Sequence, residues 1–303
     1  MTTAPSTAEH AERFTALRRL LFTIAYEILG SATESDDVLQ DSYLRWAEVD
    51  LAEVRDTKSY LAQLVTRQAL NALRAGARRR EDYIGPWLPE PLLLTEQDPS
   101  ADVLLAESVS MAMLVLLETL SPDERAVFVL REVFGFDYDE IAAAVGKSVA
   151  ASRQVAHRAR EHVRARRPRF TPVDPDENAR ITAEFMAAAA SGDVQAVMAM
   201  LAPDVVYTAD SGGKASAARR PVIGADKVAR GLVGLVSRGL QLPDVRVQMV
   251  VCNAAPAVLL YRAERLEGVF TVEIVDGLIT NFYAMRNPDK LAALAATREI
   301  SRA

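Results

Sequence analysis

Arg153, Gln154, His157 and Arg158 share one face of a segment that follows Gly146-Lys147. Arginine and glutamine are the side chains that pair bidentately with guanine and adenine in the major groove, and each good pair discriminates by about 1–3 kcal/mol. Arg160 and Arg164 follow, with Arg166 and Arg167 beyond them. They are spaced for phosphates, which add affinity but carry no sequence information. A second run, Arg67, Arg74, Arg78, Arg79 and Arg80, contains no acid. A solvated helix end is the competing reading of each run; two such runs favour a polyanion. Acids gather elsewhere, at Asp36, Asp37 and Asp41 and again at Asp137, Asp139 and Glu140.

Helices must carry these groups. Phe14, Leu17, Leu21, Ile24 and Ile28 recur at helical spacing, with Gly30 as the stop. Ser35 is the expected cap of a second helix with Val38, Leu39, Tyr43 and Trp46. A polar loop, Glu48 to Asp56, precedes a third helix opened by Thr57 or Ser59 and ending in the first arginine run. Pro86, Pro89, Pro91 and Pro99 break the pattern and mark a stiff, apolar linker around Trp87, which should dock on something. Leu105, Val109, Met113, Leu116 and Leu120 then predict one helical stripe. Ser121-Pro122-Asp123-Glu124 is a capping box, and Asp137 to Glu140 repeats the signature before a short helix. After the Gly146 turn, Ser148 caps a longer helix with an inner stripe of Ser152, Val155, Ala159 and Val163. A short capped helix, a glycine turn and an arginine-faced helix form the pattern of a helix-turn-helix.

Beyond Pro175 two helices are expected, from about Glu177 to Ala190 and on to Leu201. Strand-like runs follow at 205–208, 245–251, 257–262, 269–275 and 278–284, with Asp276-Gly277 as a hairpin turn. Helices followed by antiparallel strands predict an α+β domain. Asp204, Asp210, Asp244 and Glu273 are its candidate acids, but residues 171–303 contain no histidine and show no nucleophile–base constellation, phosphate loop or metal cluster. No catalytic residue, metal or cofactor is expected.

The 303 residues carry 35 Lys+Arg against 41 Asp+Glu, a net charge of −6. Taken alone this argues against nucleic acid, but the average hides the two arginine segments. No apolar run reaches the roughly 18 residues that span a bilayer, and no signal sequence or membrane partner is expected. Cys252, the only cysteine, excludes an internal disulfide and fits a cytoplasmic setting.

The motifs taken together resemble a known family. SDDVLQDSYLRW resembles the second helix of region two of bacterial extracytoplasmic-function (ECF) sigma factors, and TRQALNALRAGARRRED resembles the end of that region. LETLSPDERAVFVLREVFGFDYDEIAAAVGKS resembles region four. YIGPWLPEPL, Asp210 to Lys214 and Asn287 to Leu291 resemble the marks of the group with a fused SnoaL-like domain, with Ser211 where that group's loop has glycine.

The resemblance implies two all-α sigma domains, a region two bundle at 8–82 and a region four helix-turn-helix at 102–167. These are joined by a linker at 83–101 and followed by an α+β SnoaL-like cone at 175–297. It implies an alternative sigma factor, not an enzyme, whose partners are promoter DNA and the β and β′ subunits of core RNA polymerase. Asp36, Asp37, Gln40 and Asp41 would meet polymerase. Arg67, Asn71, Arg74, Arg78 and Arg79 would bind the −10 element. Arg153, Gln154, His157, Arg158, Arg160 and Arg164 would bind the −35 element. Trp87, Leu88, Pro89, Glu90 and Pro91 would contact Asp210, Gly212, Gly213 and Lys214, with Asn287, Pro288, Asp289 and Lys290 alongside, and so regulate the factor in cis. Alternatives are a sensor whose apolar pocket, lined by Phe185, Tyr207, Tyr261, Phe270, Phe282 and Tyr283, takes an unknown small-molecule ligand, or an enzyme carrying a DNA-binding module.

Overall fold

A computed structural model describes residues 7–94, 102–166 and 174–302. The chain divides into two compact units. The first holds Met1–Glu81, Met113–Arg169 and Glu299–Ala303; the second holds Asp82–Ala112 and Phe170–Arg298.

In the first unit, α1 (Thr7–Leu29), α2 (Ala32–Trp46) and α3 (Thr57–Glu81) form a bundle. The apolar stripe of α1 is interior, with Phe14, Leu21, Ile24 and Ile28 at most 4% exposed. Gly30 ends that helix at φ 69°, a left-handed conformation that costs glycine no steric penalty. The cap of α2 is Ser31, whose Oγ accepts from Glu34 N at 3.1 Å. The expected cap, Ser35, lies buried inside the helix, its hydroxyl donating to Ser31 O at 2.6 Å. The expected loop 48–56 contains a single 3-10 turn, Leu51–Glu53. Asp56 then accepts from Ser59 N at 2.7 Å at the start of α3.

The predicted stripe from Leu105 to Leu120 is not one helix. It is broken at Val109-Ser110 into α4 (Val103–Ser108) and α5 (Met111–Leu117). The Ser108 hydroxyl back-bonds to Leu105 O at 2.9 Å at the break, and such a bond competes with the helical ladder.

The capping box at Ser121 opens α6 (Pro122–Phe128), which runs into a π-helical turn at Val129–Val133. α7 (Tyr138–Val145) ends at Gly146, φ 70°, and α8 (Val149–Arg166) follows. Ser152, Val155, Ala159 and Val163 are all buried, as the inner stripe requires. The C-terminal residues return to α1 through an Arg19–Glu299 ion pair and a hydrogen bond from Ser301 N to Thr23 Oγ1 at 3.0 Å.

In the second unit, α9 (Pro175–Ser191), α10 (Val194–Ala199) and α11 (Ala225–Leu240) accompany a six-stranded sheet. Its strands are β1 (Leu201–Asp210), β2 (Val222–Ile223), β3 (Val245–Cys252), β4 (Ala255–Arg262), β5 (Arg265–Val275) and β6 (Leu278–Met285), in the order β2-β1-β6-β5-β4-β3. The sheet is mixed, not purely antiparallel: β1 runs parallel to β6. A parallel pair needs a long crossover, and the chain between β1 and β6 includes α11, a helix the sequence reading did not anticipate. Phe185, Val205, Val228, Leu232, Ile279 and Phe282 lie in the resulting core. A short α12 (Pro288–Leu291) follows the sheet.

Candidate functional site

On α8, Arg153, Gln154, His157 and Arg158 are exposed. Val155 and Ala159 hold the opposite face in the core, so the four polar side chains project together. The Arg153 guanidinium lies 5.5 Å from the centre of the Tyr138 ring. Arg158 approaches Glu124 at 3.5 Å, Arg160 pairs with Glu132 at 3.1 Å, and Arg164 with Glu161 at 3.4 Å. A hydrogen bond from Ser121 and the charge on Arg158 keep the Glu124 carboxyl below its ordinary pKa. Gln154 and His157 thus lie in the middle of this exposed face, and the arginines around them are partly oriented by acids.

Arg67 and Arg74 of α3 are exposed but engaged. Arg67 Nη2 donates to Ala143 O of α7 at 2.7 Å, joined there by Gln63 Nε2 at 3.2 Å. Arg74 Nη2 reaches Asp123 of α6 at 2.6 Å, and Lys147 holds the other oxygen of that carboxylate at 2.8 Å. Partial burial works against the charged form of Asp123, but the hydrogen bonds from Lys147 and Arg74 outweigh it, and its pKa lies below the ordinary value. Ser59 donates to Glu140. Deeper, Arg125 of α6 is 1% exposed; its Nε donates to Glu27 O at 2.8 Å and its Nη1 pairs with Glu118 at 2.6 Å. No local sequence signal marks these ties, because each half looks complete alone. Asn71 is exposed. Arg78 and Arg79 belong to α3, but their side chains lie outside the described residues.

On α2, Asp37, Gln40, Asp41 and Leu44 are exposed at helical spacing, and Asp36 is half-buried against Arg18 at 3.2 Å. Leu44 is 60% exposed between acids, giving an acidic face with an apolar centre.

In the second unit one buried carboxylate organises the linker. Asp210, at the end of β1, is fully buried. Oδ1 accepts from the Tyr83 hydroxyl and from Gly212 N at 3.1 Å. Oδ2 accepts from Leu88 N and Lys290 Nζ at 2.8 and 2.7 Å. Lys290, 4% exposed, also donates to Leu88 O at 2.6 Å and sits 3.3 Å from the Trp87 ring centre. Charge, two hydrogen bonds and a cation–π contact therefore satisfy this ammonium away from water. Tyr83 packs edge-on against Trp87, with ring centres 4.7 Å apart, and accepts from Asn287 Nδ2 at 2.7 Å. Burial, and next the carboxylate of Asp210, push the Tyr83 phenol far above its usual pKa, so it remains a donor.

Gly212 explains the glycine loop. A Cβ there would stand 2.6 Å from Asn287 Nδ2 and 3.1 Å from the Tyr83 hydroxyl. Gly213 likewise faces Ile84 at 3.1 Å. Lys214, expected on the linker, pairs instead with Asp289 in solvent. Leu88 and Glu90 are buried, with Pro89 and Pro91 between and after them; Pro288 opens α12 at its first turn. Tyr83 opens the YIGPWLPEPL motif, but its place beside Asp210 carries no local signal in the sequence.

The expected pocket aromatics mostly pack on one another. Phe282 lies 5.8, 5.6 and 6.1 Å from Phe185, Tyr207 and Phe270. Tyr261 stacks under Arg246 at 4.0 Å, and Tyr283 reaches Glu273 at 3.5 Å. Among the described residues no group of three or more His, Cys, Asp or Glu could hold a metal ion, and no helix is long and apolar enough to cross a membrane.

A helical bundle and a helix-turn-helix with an exposed polar face are the architecture of a sigma-type transcription factor, and the family matches agree. The Sigma-70 region 2 family matches residues 13–79, and the Sigma-70, region 4 family matches residues 110–163. The ECF RNA polymerase sigma factor SigJ of Mycobacterium tuberculosis is 40% identical over 288 residues, covering 91% of both chains. A probable ECF RNA polymerase sigma factor, SigI, of the same organism is 30% identical, covering 93% of this chain and 94% of its own. The crystal structure of M. tuberculosis SigJ superposes with a TM-score of 0.75 at 33% identity, covering 94% of this chain and 99% of that one. The chain belongs to the ECF RNA polymerase sigma factors. Such factors bind core RNA polymerase and promoter DNA, and they are not enzymes.

Proposed function

We propose that this sigma factor is regulated in cis by its C-terminal domain, through docking of the linker that joins regions two and four. The carrying observation is the fully buried carboxylate of Asp210, which accepts at once from Tyr83, Leu88 N and Lys290. A docked linker fixes how far regions two and four can part, and so tunes promoter binding. This replaces a separate inhibitory protein with a domain of the same chain.

In this reading α8 enters the major groove of the −35 element with Arg153, Gln154, His157 and Arg158 toward the bases and Arg160 and Arg164 toward phosphates. Arg67, Asn71, Arg74, Arg78 and Arg79 serve the −10 element. Asp36, Asp37, Gln40 and Asp41 meet basic residues of the β′ subunit, with β as the second polymerase partner. The factor works where polymerase works, in the cytoplasm.

Run-off transcription with core polymerase tests the regulatory reading. Lys290→Met and Trp87→Ala should both change promoter-dependent output while the two units stay folded by circular dichroism. Unchanged output from both variants refutes it.

A further inference from the structure

A second attachment of the linker stands apart from the Asp210 cluster. The hairpin between β3 and β4 turns at Asn253-Ala254, both with positive φ, 52° and 57°. This is the backbone of a two-residue type I′ turn, in which asparagine is favoured. Asn253 is 1% exposed, so its amide is not there to meet water. Its Oδ1 accepts from Leu92 N at 2.8 Å and its Nδ2 donates to Val109 O at 2.8 Å. Its own backbone N donates to Leu92 O at 2.9 Å. Next to this clamp, Leu93 bridges Cys252, and Leu94 bridges Arg298 in the opposite sense. Arg298 N donates to Leu93 O at 2.8 Å. Leu92, Val109 and Cys252 are all fully buried.

One side chain thus grips Leu92 in the linker and Val109 at the end of α4, about seventeen residues apart. Free, such a stretch could span roughly 55–60 Å. Gripped, its two ends are held within the reach of one amide group. Val109 is the residue immediately before the region four match at 110–163.

We infer that Asn253 is a positioning residue of the sigma factor. It staples Leu92 to Val109, and so removes the chain between them from the reach that separates region two from region four on a promoter. The length of that intervening chain then has no bearing on promoter spacing while the staple holds. The inference rests on the reading that linker docking governs activity, but it assigns the setting of spacing to a turn distinct from the Asp210 cluster.

The test uses the full chain with core polymerase, on a promoter that the wild type selects from a random-sequence library. That promoter is remade with spacers one and two base pairs shorter and longer. Asn253→Gly removes both side-chain bonds and leaves the left-handed turn unstrained. Asn253→Asp keeps the acceptor for Leu92 N and loses the donor to Val109 O. Each is combined with six Gly/Ser residues inserted between Glu96 and Gln97. The insertion alone should leave the wild-type spacer preference unchanged. The insertion with Asn253→Gly should reduce the preference for the best spacer by about fivefold or more, the scale of losing two buried hydrogen bonds. An insertion that shifts the wild type as much as the variant overturns the staple.

Hydrogen exchange on the free chain gives an answer independent of transcription. Asn253→Gly should speed exchange over 88–94 and 102–112, and Asn253→Asp over 102–112 alone. Unchanged exchange in both overturns the inference. If Asp210→Asn leaves transcription unaltered while Asn253→Gly changes spacer preference, the Asp210 reading fails and the staple stands.

Discussion

Arg74 of region two and Asp123 of region four are joined at 2.6 Å, and Lys147 holds the same carboxylate from its other side at 2.8 Å. An arginine assigned to the −10 element is therefore bound within the protein. With Arg67 on Ala143 O, the two exposed arginines nearest the centre of α3 serve first as a clasp.

Asp123→Ala should release Arg74. Exposed pairs of this kind contribute about 0.2–1 kcal/mol each. Binding of a single-stranded −10 oligonucleotide to the free chain should then tighten by about two- to fivefold, read by fluorescence anisotropy. No change would show that the clasp does not compete with DNA.

Acid should act on the same contact. The Asp123 pKa is depressed in the folded protein, so its stabilisation is present above the ordinary carboxylate value and is lost as pH falls through the lower folded value. Glu140, which accepts from Ser59, is another carboxylate at the interface. Regions two and four should loosen below about pH 4, seen as faster proteolysis between them before the helices melt. Equal protease sensitivity at pH 7 and at about pH 2.5, below the ordinary carboxylate value, contradicts this.

The linker contact has the opposite sign. The Tyr83 pKa is raised on folding. Its stabilisation is complete below the ordinary phenol value and is lost as pH rises past it, from about pH 10. Tyr83→Phe leaves Asp210 one donor short and should cost about 1–3 kcal/mol of second-unit stability, measured by urea unfolding. It should also abolish the part of the alkaline sensitivity that comes from this group.

Gly212→Ala and Gly231→Ala make a paired test. The first puts a methyl 2.6 Å from Asn287 Nδ2 at φ 56° and should undock the linker. The second sits in α11 with nothing within 4 Å of the added atom, and should stabilise by roughly 0.5–1 kcal/mol. Equal effects on melting temperature would contradict the close approach at Gly212.

On α8, Gln154→Ala should lose about 1–3 kcal/mol of discrimination at one −35 base pair. Arg164→Ala should weaken binding to all sequences alike and lower the salt slope by about one. Competition binding at two salt concentrations separates the two outcomes.

Local chemistry made much of this legible in the sequence. The capping boxes at Ser121 and Asp137, the turn at Gly146 and the stripe Ser152–Val163 act within a few residues, and the helix-turn-helix follows from them. What escaped was non-local. Nothing near Asp123 announces Arg74, and nothing near Arg125 announces Glu27 O. The parallel pairing of β1 with β6 depends on the crossover through α11, whose apolar residues gave no strand-like signal. Ser35 was misplaced as a cap because Ser31 and Ser35 are equivalent by type and only Ser31 has the extended backbone a cap requires. Asn253 sits between two strand runs, where an asparagine turn could have been read, but its grip on Leu92 and Val109 could not.

Cys252 neighbours that grip, fully buried, with burial pushing its thiol up to about 12. It is the chain's only sulfhydryl, and in the folded protein it is a neutral, inaccessible one. A cysteine introduced at an exposed position of α8 or α2 would therefore be the sole group to take a maleimide dye. Fluorophores placed this way can report the parting of regions two and four during initiation without first deleting a native residue.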